Sequence, residues 1–157
     1  MKTPQTIHLT VPAVIVFMIF VLVNPIVPFD NARQSVIPCS VKNKTGPGTF
    51  CWTPEVSDIE KADKIIIDCI AQRNRSADLL NAIAKNGFGS YFRQYEGTFG
   101  DNGEKLIRIY CMCALPASHA DWRRNKIMII GGGHCYFNAV VYPAGMKCVE
   151  FHVNSTR

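Results

Sequence analysis

The sequence predicts an α+β domain in which two N-terminal helices pack on a roughly four-stranded antiparallel sheet, the whole stapled by disulfides. Two observations carry the prediction. Apolar residues recur with a helical period before residue 87 and alternate after it, so helices and strands form separate blocks. Seven cysteines follow an export-type leader, in a compartment where cysteines form disulfides before they bind metals.

The leader comes first. Residues 11–23 are uncharged and strongly apolar and follow Lys2 and a polar stretch, the pattern of a secretory signal. With Asn24 to Phe29 the run is almost long enough to span a bilayer, but Pro25 and Pro28 would break such a helix. A cut near Ala32 is expected, dividing the chain into a signal peptide, 1–32, and one secreted domain, 33–157. Three Asn-x-Ser/Thr sequons, at Asn43, Asn74 and Asn154, agree with export and mark candidate glycosylation sites.

Residues 34–53, rich in Pro, Gly, Ser and Thr, read as a loop held by Cys39 and Cys51. A helix start follows, with Thr53 capping ahead of Pro54, or Ser57 paired with Glu60 in a capping box. Val56, Ile59, Ala62, Ile66, Cys69 and Ile70 share one face of a helix that ends near Gln72, which turns Cys69 inward. Ser76 can cap a shorter helix with Leu79, Leu80, Ile83 and Ala84 as its buried stripe, and Asn86-Gly87 closes it.

Residues 88–95 read as a short strand or an aromatic-rich loop, in which Tyr91, Phe92 and Tyr95 beside Arg93 suit a contact surface. Residues 99–103 form a turn. Strands are expected at 105–115, 126–130, 135–142 and 147–153, with Gly131-Gly132-Gly133 as a bend and Pro143-Ala144-Gly145 turning the last two into a hairpin. In 105–115, Ile107, Ile109, Cys111 and Cys113 take one face and Leu106, Arg108, Tyr110 and Met112 the other. Cys111 and Cys113, two apart on one strand face, point in parallel, so each is expected to bridge elsewhere. In 147–153, Val149, Phe151 and Val153 take the core face and leave Glu150 and His152 on the open one.

One domain is the most that 157 residues hold, and 48% hydrophobic residues exclude a disordered chain. The formal charge of +5 is scattered, not run together, so no stable nucleic-acid partner is expected, though anionic ligands fit. Three chemistries remain. An odd cysteine count leaves one thiol, and Cys51, just before a helix, is placed to be a lowered-pKa nucleophile with His134 as its base. A cysteine ahead of a helix and a histidine leading into a later strand resemble the order found in papain-like cell-wall amidases, which implies a cysteine hydrolase. The plain alternative pairs Cys51 with Cys39 or with another cysteine.

Second, Glu150 and His152 on one strand face can act as base and acid at a phosphodiester, with Arg108 or Lys147 stabilising developing charge, as a secreted ribonuclease requires. Third, the cysteines and His119, His134 and His152 are metal-ligand types, but their spacings match no close-set zinc motif, so no metal and no cofactor is expected. His119-Ala120-Asp121 falls in a loop and reads as solvated. With no constellation compelling catalysis, the leading expectation is an extracellular glycoprotein that binds a partner (effector, toxin, salivary or defence protein): an extracellular protein or an anionic ligand. No membrane contact is expected after cleavage, and a disulfide-linked dimer is expected if the unpaired cysteine is Cys39.

Overall fold

The computed structural model describes residues 29–39, 50–73, 77–117 and 120–156. The expected signal peptide up to residue 28, the sequons at Asn43 and Asn74, the Ser76 cap and His119 lie outside the described residues. Two helices and a mixed six-stranded sheet make an α+β fold.

β1 (Gln34–Ile37) and β2 (Cys51–Trp52) precede α1 (Val56–Arg73) and α2 (Ala77–Asn86), and β3 (Phe92–Phe99), β4 (Lys105–Met112), β5 (Tyr136–Tyr142) and β6 (Lys147–Val153) follow. The sheet order is β1-β3-β4-β5-β6, with β2 also on β3. Four consecutive strands, β3 to β6, are antiparallel, but they are not the four expected, since β3 is among them and residues 126–130 are not; β1 also runs parallel to β3, so the sheet is neither four-stranded nor wholly antiparallel, and the helices are not the first elements. β1 has four residues and β2 two, too short for any periodic signal; β3 draws them into the sheet.

α1 begins differently from either expected cap. Glu55 precedes its first turn, and the Asp58 carboxylate accepts from the Glu55 backbone N–H at 3.1 Å, while Thr53 Oγ1 accepts from the Cys39 N–H. Ile59, Ala62, Ile66, Cys69 and Ile70 are buried as expected and are joined by Ile65, but Val56 is exposed. In α2 only Leu79 is buried; Leu80 and Ala84 face solvent because the short helix lies at the margin of the core. Gly87 ends α2 at φ 75°, its N–H bonded to the Ile83 carbonyl, the left-handed closure that favours glycine.

The core lies between the helices and one face of the sheet: Ile107 and Ile109 from β4, Phe137, Ala139 and Val141 from β5, and Tyr91 and Tyr95 beside them. Tyr91, Tyr95 and Arg93 are therefore buried, and the expected aromatic contact surface does not exist; of that group only Phe92 is half-exposed. Arg93, fully buried, pairs with Asp63 of α1 at 2.8 Å; Tyr95 Oη and Gln34 Nε2 also donate to that carboxylate. The Arg93 guanidinium stacks over Phe88.

Residues 126–130, expected as a strand, join no ladder. They form a strap across the opposite sheet face, held by side chains: the Ile127 N–H donates to Gln94 Oε1, Lys126 Nζ donates to Glu96, and Asn154 Nδ2 donates to the Ile129 and Gly131 carbonyls. Ile127, Trp122 and Met112 make a second, smaller core beneath it.

Three disulfides staple the domain: Cys39–Cys51, Cys69–Cys148 and Cys113–Cys135. The inward-facing Cys69 ties α1 to β6. Cys113 bridges elsewhere as expected, but Cys111 does not; it is the free cysteine, 1% exposed within the core.

Candidate functional site

Strand register sets two rows of residues across the sheet's outer face, and the strap covers them at the β3 end. One row runs Glu96, Arg108, Val140, Glu150 from β3 to β6, and the next runs Gln94, Tyr110, Asn138, His152. Adjacent strands lie about 4.8 Å apart, so Arg108 and Glu150 are two strands, roughly 10 Å, from one another. Glu150 and His152 are both exposed on this face, neighbours at i and i+2.

A register shift between Val140 and Val141 makes this possible. Val141 pairs with Cys148 and Val140 with Glu150, so Val149 is the extra residue of a bulge and turns outward, 41% exposed, instead of taking the core face. The bulge keeps both Cys148 and Phe151 directed at the core, although they stand an odd three positions apart.

At the end of this face nearest the β3–β4 and β5–β6 turns lies a cleft of about 650 Å³, with Leu106 and Val140 among its apolar lining and Arg108, Lys147, Asp101, Glu104 and Glu150 contributing charge. Asn102 clamps Glu104, its side chain donating to Oε1 at 3.1 Å and its backbone N–H to Oε2 at 3.2 Å. Those bonds hold the Glu104 carboxyl below its usual pKa. The Tyr142 ring lies against Gly145 so closely that a Cβ there would stand 2.6 Å from it, which fixes the ring across the turn. Among the described residues, the side chains of Arg108, Lys147 and Glu150 make no ion pair or hydrogen bond.

The other end of the row is spent on structure. Tyr110 Oη and Lys126 Nζ both donate to Glu96 Oε2 at 3.0 Å, and the Lys126 ammonium lies over the Tyr110 ring.

The cysteine-hydrolase residues are not brought together. Cys51 has no thiol, its sulfur being bonded to Cys39. It also pairs with Thr98 near one end of β3, whereas His134 precedes Tyr136, whose row reaches Phe92 at the other end. Six residue steps of strand, roughly 20 Å, separate the two ends. Free Cys111 cannot take over the role: burial pushes its thiol well above the usual pKa, and the core encloses it, which also blocks a bond between chains. Asn154, the one described sequon asparagine, is half-buried, and both hydrogens of its amide are engaged by the strap at 2.7 and 2.9 Å.

Alternation in 105–115 puts Arg108 and Tyr110 on one strand face together, and Lys147 is legible as a further cation. The contributions of Glu104, Asn102 and Tyr142 come from turn geometry that no period announces. No group of three or more potential metal ligands gathers among the described residues, and no described helix is long and apolar enough to cross a membrane. No protein-family model, curated protein or solved structure matches the chain.

Proposed function

We propose that this is a small exported protein, glycosylated in its N-terminal half, that acts outside the cell by binding a partner through the open face of its sheet. Three disulfides in one small domain support the extracellular setting, since such bonds persist in oxidising compartments. The observation that carries the binding reading is the set of uncommitted side chains, Arg108, Lys147 and Glu150, around a cleft in the face opposite the helices. Charged groups that do nothing for the fold are available to a ligand.

The test is retention of labelled protein on a panel of intact cells and cell-wall preparations. Retention should be lost in the Arg108→Ala/Glu150→Gln double variant and kept in Lys61→Ala, a change on the exposed side of α1. Equal retention of all three proteins, or none of the wild type on any surface, removes the reading.

A second reading, a phosphodiesterase acting on RNA, is favoured by one specific observation. Glu150 and His152 stand on one exposed strand face, in the rows that hold Arg108 and Tyr110. A general base and acid so placed can move protons at a ribose hydroxyl and a leaving oxygen. RNA digestion by wild type that vanishes in both His152→Ala and Glu150→Gln supports it; undigested RNA disposes of it.

A further inference from the structure

We infer that the cleft bordered by Glu104, Arg108, Tyr142, Lys147 and Glu150 is a carbohydrate site, and that the partner of the open face is a neutral polyhydroxylated chain of one to a few hexose units. The inference rests on the reading that this face binds.

The charge balance of the cleft chooses the ligand class. Three carboxylates, Asp101, Glu104 and Glu150, face two cations, Arg108 and Lys147, although the chain as a whole carries a formal +5. A phosphate or polyanion would meet more negative than positive charge, and like charges brought together cost affinity. A purely apolar ligand would strip water from five ionised groups and return no hydrogen bonds.

A sugar hydroxyl is at once a donor and an acceptor, so a ring bearing several of them can give hydrogens to the carboxylates and take them from Arg108 and Lys147. Hydrogen bonds to ionised partners are about twice as strong as neutral ones. The apolar face of a pyranose needs a flat surface, which Tyr142 supplies with its ring held against Gly145.

Two features make the cleft a prepared site. Glu104 is held by two hydrogen bonds from Asn102 with its carboxylate folded against Gly100, where a Cβ would stand 2.5 Å from its oxygen. A carboxylate fixed in advance loses little freedom on binding. Arg108 rises from the middle of a four-stranded antiparallel ladder, so its base is rigid even though its head is unpaired. The volume of about 650 Å³ lies within the range of small-ligand sites.

The test is calorimetric titration of the intact, disulfide-bonded protein with soluble tetrasaccharides of β-1,4-linked N-acetylglucosamine, β-1,3-linked glucose and α-linked mannose. At least one should bind with a Kd of about 1 mM or tighter. Tyr142→Ala and Glu150→Gln should each weaken that sugar about tenfold or more, with near-UV circular dichroism unchanged. Asn102→Ala, which frees Glu104 but leaves every charged group of the cleft in place, should weaken it by a smaller factor. Heat from none of the sugars, or binding indifferent to Tyr142→Ala and Glu150→Gln, overturns the inference. Inorganic phosphate or a ribonucleoside monophosphate binding where the sugars do not also overturns it. If no sugar binds yet surface retention still depends on Arg108 and Glu150, the carbohydrate assignment fails while the binding reading stands.

Discussion

Arg93 of β3 and Asp63 of α1 form an ion pair sealed from water, Nη1 to Oδ2 at 2.8 Å with side-chain exposures of 0% and 3%. It ties the longer helix to the sheet at a point where the pattern of apolar residues would place two hydrophobes. Tyr95 and Gln34 complete the shell of the carboxylate, while Arg93 Nε and Nη2 have no hydrogen-bond partner. Removing one member of such a pair strands the other charge in the core, at a cost of about 3–5 kcal/mol. Asp63→Asn should therefore lower the midpoint of urea unfolding sharply. The Asp63→Asn/Arg93→Met double variant should lose less than the two single losses together, a coupling that a double-mutant cycle measures.

Cys111 is expected to behave as a silent thiol. Native protein should react with no equivalent of a thiol reagent at pH 8, and one equivalent should appear only in denaturant. Burial raises the Cys111 pKa in the folded state well above the unfolded value, so between the two the folded chain holds a proton that the unfolded chain has released. Stability contributed by the neutral thiol is fully present below pH ~9 and declines as pH rises beyond that. Cys111→Ala should remove this alkaline decline, and unfolding midpoints measured between pH 7 and 10.5 decide the matter.

The Cys69–Cys148 bond closes the longest covalent loop, with a sequence separation of 79, against 12 for Cys39–Cys51. The chain-entropy account assigns about 4.5 kcal/mol to the first and about 3 kcal/mol to the second. The Cys69→Ala/Cys148→Ala variant should consequently be the less stable of the two double variants by guanidinium unfolding. Equal losses would mean that local contacts, not loop length, dominate.

Asn154 holds the strap by two hydrogen bonds from one amide nitrogen. Asn154→Ala would leave the Ile129 and Gly131 carbonyls without that donor, and a loss of about 1–3 kcal/mol is expected. An N-linked glycan would consume one of the same two hydrogens. Peptide mapping before and after glycosidase treatment should find residue 154 unmodified in folded, secreted protein, whatever the occupancy of Asn43 and Asn74.

The N-terminus of the processed chain offers a fifth check. Phe29 packs against the main core, and Arg123 donates to the Asn31 and Ala32 carbonyls. A cut after Ala32 would discard these contacts, so terminal sequencing of secreted protein should show a first residue at or before Phe29.

The helices, the β5–β6 hairpin and the outward direction of Glu150 and His152 were legible because each depends on neighbours a few residues apart. Residues 126–130 look like a strand for the same local reason, yet Gln94, Glu96 and Asn154 take the place of a ladder. The bulge at Val149 leaves no mark on the sequence because alternation is a rule for unbroken strands, and the extra residue that breaks it is set by the needs of Cys148 and Phe151.

By itself the sequence determined an α+β chain with an inward Cys69, a Cys113 that must bridge away from Cys111, and an open sheet face carrying Arg108, Glu150 and His152. Only the tertiary structure decided which cysteine stays free, why Cys51 cannot be a nucleophile, and where the uncommitted charges meet to form a cleft. Periodicity records forces acting within one turn of helix or one pleat of strand. Disulfide partners, strand order and the balance of charge in a cleft arise between segments far apart in the chain, whose packing no local period encodes.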